Sequence, residues 1–552
     1  MSSKLYDLRL VFFTIALISL SLSLSILVLT STLQLKDHPS FTRSIQNASP
    51  VGKSNWVIKI PVERRKKRHS TPVEFLAKEF KGRIETKIGL VNTDEGEEWE
   101  ALGETSLVYF DRVPEQRRWE EFFPEWIDEK EKWGSPTCPE IPMPVFGVYD
   151  DQFDIVVSSV PCGNGMGREG ARDVFRLQVN LVVANLVVRS GLKNNDDGGD
   201  RAVFAVFIGS CEPMLEIFRC DDLVMQGDNF WIYKPDLRRL KQNVLMPVGS
   251  CQLAPPLVNQ GEENIKSRQA YVTVLHSSEA YVCGAIILAQ SIIQSNSTKD
   301  LVLLADETIT KTSRRALMTA GWKIKQIKRI RSPNARRNAY NEWNYSKLRI
   351  WQLTEYDKII FIDSDLVALR NIDEFFRYPQ LSAVGNDQVL FNSGIMLIEP
   401  SECTFRKLME RKQNVVSYNG GDQGFLNEVF TWWHRWPSTL NYLKVFEETK
   451  SSEREKLPES LYAIHYLGLK PWMCYRDYDC NWDMRKRRIF ASDSAHRKWW
   501  QVFDAMPKRL RPYCSLTKKM DARINKWRER AKNASFPDGH WKIKVKDPRQ
   551  HH

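Results

Sequence analysis

No two of the ten cysteines stand as a C-x-x-C pair, and no Cys/His run has zinc-finger spacing, so a structural zinc site has no support here. An aromatic-plus-glycine RNA-binding motif is also missing, which leaves nucleic acid without a reader. The glycine run Gly163-Asn-Gly-Met-Gly167 lacks both the GK[ST] ending and the GxGxxG spacing of phosphate loops, and reads as a turn. Extensive disorder is excluded by composition, since 42% hydrophobic and 27% charged residues are ordinary for a globular protein. What is present is length and positive charge. The 552 residues allow two or three folded units, and the net charge of +12 suits anionic lipid or acidic sugar partners.

The stretch from Leu10 to Leu35 runs for 26 residues without a charge. About 20 apolar residues span a bilayer, and a cleavable signal carries a shorter run and a small-residue cleavage motif. The segment therefore predicts a single-pass signal anchor at 10–35. Lys4 and Arg9 precede it, which places residues 1–9 in the cytosol and the body in the lumen. Four N-x-[ST] sequons, at Asn47, Asn296, Asn344 and Asn533, agree with that side. In an oxidising lumen some cysteines should pair, with Cys474 and Cys480 closing a short loop, while others would be buried thiols.

Residues 36–85, with the basic run Arg64–Arg68, read as a solvated stem. A first α/β region spans 86–268, with strands at 87–91, 153–160 and 202–210 and a buried helix or strand at Val174–Val188. From 269 to 480 strands and helices alternate: Tyr271–Leu275, Ala280–Ile293, Leu301–Leu304, Arg314–Ala320, Trp322–Ile327, Asn344–Leu353 and Lys358–Ile362. Such alternation predicts a mainly parallel sheet with helices on both faces, followed by a helical or irregular extension at 481–552.

The last of those strands ends at Asp363-Ser364-Asp365. Ligands of parallel sheets bind beyond the carboxyl ends of strands, and carboxylates two residues apart on extended backbone point the same way. Oxygen ligands of this kind suit Mn²⁺ or Mg²⁺ carrying a substrate diphosphate.

Three further segments follow in order: Phe391-Asn-Ser-Gly-Ile-Met-Leu-Ile398, Asn419-Gly-Gly-Asp-Gln-Gly-Phe-Leu-Asn427 and His465-Tyr-Leu-Gly-Leu-Lys-Pro-Trp472. With the D-x-D they resemble glycosyltransferase family 8 over roughly residues 269 to 480, the group that contains glycogenin. The anchor, the extra domain before the catalytic one, and the continuation Met473-Cys-Tyr-Arg-Asp-Tyr-Asp-Cys-Asn-Trp482 resemble the plant xylan α-glucuronosyltransferases within it. The resemblance implies a GT-A type nucleotide-sugar-binding domain and a single-pass type II Golgi membrane enzyme. It further implies transfer of glucuronic acid from UDP-glucuronate to xylan with retention, in the presence of Mn²⁺.

Site roles follow from the same resemblance. Asp363, Asp365 and His465 match metal ligands; Gly468 and Lys470 match contacts to the diphosphate. Leu275, His276, Ser277 and Tyr281 match the strand and loop that hold uridine, with Ser364 and Lys347 beside the nucleotide sugar. Asn392, Ser393, Asn419, Asp422 and Gln423 match the pocket of the donor sugar and reaction centre. Three departures stand out. Asn419 replaces an Asp of glycogenin, the His-to-Lys spacing is one residue shorter, and glycogenin's acceptor tyrosine has no counterpart, which disfavours self-glucosylation.

Asp422 and Gln423 are the expected catalytic pair, positioning the sugar and stabilising developing positive charge during same-face attack; a covalent adduct on Asp422 is the alternative. One of Arg331, Arg336 or Arg337 is expected to read the glucuronate carboxylate. Of the many tryptophans, Trp472 is expected near the site, with Trp432, Trp433 and Trp436 in packing. The competing expectations are a family 8 enzyme using UDP-glucose, UDP-galactose or UDP-galacturonate, and a non-catalytic scaffold.

Overall fold

The computed structural model describes residues 71–547 and Arg549, apart from positions 84, 94–95, 124–126, 128, 130–138, 150–151, 163–171, 193–199, 258–266, 387–388 and 447–455. The anchor at 10–35, the stem up to residue 70, the Asn47 sequon and the Gly163–Gly167 turn lie outside the described residues. Among those described, no helix is long and apolar enough to cross a membrane.

After the short helix Pro72–Glu79 (α1) comes a six-stranded sheet, formed by Lys87–Val91 (β1), Glu104–Leu107 (β2), Ile155–Ser159 (β3), Phe204–Ile208 (β4), Leu223–Gln226 (β5) and Phe230–Tyr233 (β6). Its order is β2-β1-β3-β4-β6-β5, parallel through β4 and antiparallel beyond. The segment left open between helix and strand is the helix Val174–Gly191 (α2). Its length exceeds a strand's usual reach, and the Asp173 carboxylate caps it by accepting from the Phe175 and Arg176 amides. Buried Gln178 on α2 bonds Asp111, Val113 and Pro142, pinning the long loop after β2 onto the helix. Leu237–Val244 (α3) closes this half.

The second sheet has seven strands in the order β14-β12-β13-β10-β7-β8-β9. Gln269–Leu275 (β7), Asp300–Ala305 (β8), Lys323–Gln326 (β9) and Lys358–Ile362 (β10) run parallel. Val282–Gln294 (α4) follows β7 and Lys311–Ala320 (α5) follows β8. The small strand Leu366–Ala368 (β11) leads on to Ser382–Gly385 (β12) and Phe391–Ile398 (β13), of which β13 runs against both β10 and β12. Glu402–Arg411 (α6), Asp422–Val429 (α7), His434–Trp436 (β14), Tyr442–Leu443 (β15) and Ala463–His465 (β16) complete this region. The sheet is thus mostly parallel as expected, with one reversed strand next to the carboxylates. The expected helix at 344–353 is a 3-10 helix, Asn344–Gln352.

The two sheets share one hydrophobic core, which runs from Val91 and Trp119 through Ala270 and Phe361 to Trp433. Polar ties reinforce it: buried Arg219 pairs with Glu399 at 2.7 Å, and Glu216 accepts from the Thr431 and Trp432 amides. Every cysteine among the described residues is paired. The bonds are Cys162–Cys211, Cys220–Cys403, Cys283–Cys514 and the expected Cys474–Cys480, and Cys251 is also disulfide-bonded. No described cysteine is therefore the buried free thiol considered from sequence. The extension after 480 contributes Asp493–Ala505 (α8) and Lys518–Asn533 (α9). Its Arg549 is buried and donates to the carbonyls of Trp472, Cys474 and Cys514, with Asp547 as counter-ion.

Candidate active site

Asp363 follows β10, whose side chains from Ile359 to Ile362 are buried, so the strand is fixed and its end is presented at the rim of the sheet. The Asp363 amide donates to Gly394 on β13 at 2.8 Å, which brings the Asn392–Gly394 stretch beside the carboxylates. His465 arrives by register. β11 and β16 pair antiparallel with Leu366 opposite His465, and the adjacent Tyr466 amide donates to Asp365. Residues a hundred positions apart therefore converge, and ligand atoms of Asp363, Asp365 and His465 all lie within 4.8 Å of one another. His465 Nε2 is 3.3 Å from Asp365 Oδ1, while Nδ1 meets Asn441 Oδ1 at 3.1 Å. With Nδ1–H donating to that amide oxygen, Nε2 is the nitrogen left for a ligand. Gly394 is needed here because a Cβ would sit 2.7 Å from the His465 ring. Two carboxylates and one imidazole at this spacing fit a divalent cation.

Two lysines neutralise the carboxylates. Lys347, which its helical position alone would have left in solvent, is buried; its ammonium lies 2.5 Å from Asp422 and 3.3 Å from Asp363 and donates to the Ser393 carbonyl. Lys470 reaches Asp365 at 2.6 Å despite the shortened spacing, and also donates to the Tyr466 carbonyl. Burial pushes Asp363 up to about 6, against the pull of Lys347. Burial acts on Asp365 in the same sense, but Lys470 and His465 outweigh it and hold this carboxyl well below the usual range. Asp422 is also buried; Lys347 and the Ser393 hydroxyl, which donates at 2.9 Å, overcome the burial and keep it ionised.

The remaining residues fall around this centre. Gln423 accepts from the Ser393 amide at 3.2 Å and donates to the Tyr418 hydroxyl at 2.9 Å, so it stands next to Asp422 with its ends committed. Asn392 joins a chain of amides in which Asn441 donates to Asn392 and Asn392 to Asn386; it holds the partner of His465. Asn419 turns its carbonyl to the amides of Gly421 and Gly424, fixing the loop into α7, a task an Asp would do equally well. Gly468 has φ of +77°, a turn that a side chain would strain, and Asn481 grips the next residue, Leu469, at both its amide and its carbonyl.

At the other end, β7 finishes with the side chain of Leu275 in the core. His276 contacts the Ser277 hydroxyl, and the Ser277 amide, in a left-handed turn, donates to Asp306. Tyr281 stands edge-on to Trp472, which is anchored by its indole to the Ala280 carbonyl. Ser364 is buried between the two metal-side carboxylates. Trp432, Trp433 and Trp436 are fully buried, as packing requires.

Sequence reasoning missed Asp306 and Asn441. Asp306 follows the apolar strand β8 as Asp363 follows β10, so the same rule would have found it; Asn441 sits in no motif. Of the basic loop, Arg331 is taken by Glu342 and the Ala335 carbonyl, and Arg329 by Asp306. Arg336 and Arg337 are exposed. That loop lies on the Asn419 turn through Ser332 and Asn341.

Known proteins are similar to this chain along most of its length. Residues 62–251 match the model described as GUX1-5 N-terminal domain, and residues 272–474 match glycosyl transferase family 8. The chain is 53% identical to putative UDP-glucuronate:xylan alpha-glucuronosyltransferase 5 of Arabidopsis thaliana, over 84% of this chain and 85% of that one. It is 50% identical to UDP-glucuronate:xylan alpha-glucuronosyltransferase 2 of the same plant, over 85% and 82%. Glycogenin-1 of Homo sapiens is 29% identical over 43% of this chain and 71% of its own.

Proposed function

Because the chain belongs to the UDP-glucuronate:xylan alpha-glucuronosyltransferases of glycosyltransferase family 8, we propose that it transfers glucuronic acid from UDP-glucuronate to the xylan backbone with retention at the anomeric carbon. The observation that carries the reading is the convergence of Asp363, Asp365 and His465 beside Lys347, Lys470 and Asp422. Asp363, Asp365 and His465 would hold the metal, Mn²⁺ or in its place Mg²⁺, which when bound supplies charge neutralisation on the departing diphosphate.

The protein's own groups do the rest. Lys470 is a point charge suited to a phosphate oxygen. His276, Ser277 and Tyr281 border the nucleotide end. Asp422 is compensated by a lysine and a hydroxyl, which weakens it as a nucleophile and suits it to stabilise positive charge at the anomeric carbon. This supports same-face attack: the bond from the anomeric carbon to the phosphate oxygen breaks, the bond to the xylose hydroxyl forms, and the hydroxyl proton passes to the phosphate. With Arg331 engaged elsewhere, Arg336 or Arg337 is the candidate reader of the glucuronate carboxylate. A type II Golgi location with a lumenal body is supported by the charge-free run at 10–35, the disulfides and the exposed sequons at Asn296 and Asn533.

The test is full-length protein in detergent with Mn²⁺, a panel of UDP-sugars and xylo-oligosaccharides. Product is expected from UDP-glucuronate alone and is abolished by Asp365→Asn. Product from another UDP-sugar refutes the donor, undiminished activity in Asp365→Asn refutes the metal site, and a glycosyl–Asp422 adduct found by mass spectrometry refutes same-face attack.

A further inference from the structure

Beyond the donor site lies a cavity of about 710 Å³, walled by Arg117–Glu120, Arg172–Val174 and the pair Val389 and Leu390. Its size is that of a ligand pocket, and it joins the two halves of the molecule, since the first two segments come from the N-terminal half and the third leads into β13. Val389 is three residues before Asn392, roughly 10 Å along extended chain. Arg172, in the cavity wall, also donates to the Asn427 carbonyl of α7 and pairs with Glu428 at 3.3 Å. The same helix begins with Asp422 and Gln423.

Position along the sheet gives the direction. The residues bordering the nucleotide follow β7 and β8, the carboxylates follow β10, and Ser393 and Asp422 lie at β13 and α7. The cavity wall includes Val389 and Leu390, directly before β13, so it adjoins that line on the side away from β7 and β8.

Its lining is mixed rather than uniformly charged. Arg117 is compensated by Glu121 at 2.7 Å, whereas the Arg118 side chain is exposed and joins no ion pair among the described residues. Glu120 supplies an acceptor, and Val174, Val389 and Leu390 supply apolar wall. Trp119 is 3% exposed, and its indole N–H has no acceptor. Donors, acceptors and an apolar wall, with Trp119 stacked behind it on Phe123, together suit a hydroxyl-rich ring with apolar faces.

We infer that this cavity is a distal acceptor subsite, in which the N-terminal half binds sugar units of the xylan chain remote from the one being glucuronylated. The inference rests on the proposed function for the identity of the polymer. It gives the N-terminal half a task in substrate binding.

Arg118→Ala and Glu120→Ala, both at exposed side chains, test it in the full-length enzyme. The measurements are xylo-oligosaccharide binding by calorimetry without donor, and KM for transfer, each across a series from xylobiose upward. Loss of one charge-assisted hydrogen bond predicts about tenfold weaker binding and higher KM for long oligosaccharides. KM for xylobiose and the donor-only hydrolysis of UDP-glucuronate stay unchanged. Equal effects at every length, or none at any length, overturn the subsite while leaving the proposed function standing. Length-dependent binding weakened by the variants but without transfer upholds the subsite and overturns the proposed function. Neither binding nor transfer overturns both.

Discussion

A histidine can be held for a metal through one nitrogen only when the other is engaged, and Asn441 is what engages His465. Replacing it with Ala is expected to lower divalent-cation affinity roughly 10- to 100-fold, read by Mn²⁺ titration calorimetry, while Asn441→Asp retains most of it. Lys347 poses a different problem, because it neutralises buried Asp422 and the half-buried Asp363 at once. Lys347→Ala strands Asp422 and Asp363, at a cost of roughly 3–5 kcal/mol in stability. The unfolding midpoint should drop in metal-free buffer, and Mn²⁺ should recover part of the loss by replacing the charge at Asp363. An unchanged midpoint would show that water, not the lysine, compensates these groups.

Helix α7 gains its place from both ends: Asn419 fixes its entry, and Arg172 holds its later turn from 255 residues away in sequence. Strand β14 has a comparable burden, since it carries His434 into the core without an acceptor at Nδ1. Burial pushes this imidazole down to about 3, below the value near 6.5 of an unfolded chain. Between those limits the unfolded state binds the additional proton, so the contribution of His434 to stability is complete above about pH 6.5 and is lost as pH falls toward 3. Chemical denaturation at several pH values should show this slope, and His434→Gln should flatten it; buried His496, shifted in the same direction, accounts for part of what remains. These elements also mark how far the sequence could be read. Strand β10 and its terminal aspartates were legible because a buried apolar run and its polar end are local signals. The reversal of β13 was not, because an apolar strand buried on both faces carries the same pattern in either direction. Helix α2 stayed ambiguous for the same reason, apolar nearly all round, until length and its cap decided it. Asn392 and Asn419 were found by motif, but whether an amide meets a sugar or another amide depends on partners distant in sequence.

Across the whole molecule, a shared core and a disulfide that joins the halves make them interdependent. The Cys220–Cys403 bond closes a loop of 183 residues, which in the chain-entropy account is worth about 5 kcal/mol. The paired variant Cys220→Ser/Cys403→Ser should therefore unfold at markedly lower denaturant concentration, and a single cooperative transition should persist if the shared core governs both halves. Arg549 adds a requirement of timing. The loop bearing Lys470 and Trp472 is synthesised some 75 residues before the guanidinium that fastens its Cys474 carbonyl. A nascent chain can contain every residue of the candidate site and still lack the guanidinium that ties the carbonyls of Trp472, Cys474 and Cys514 together, so that loop is fastened only after its own motif has left the ribosome.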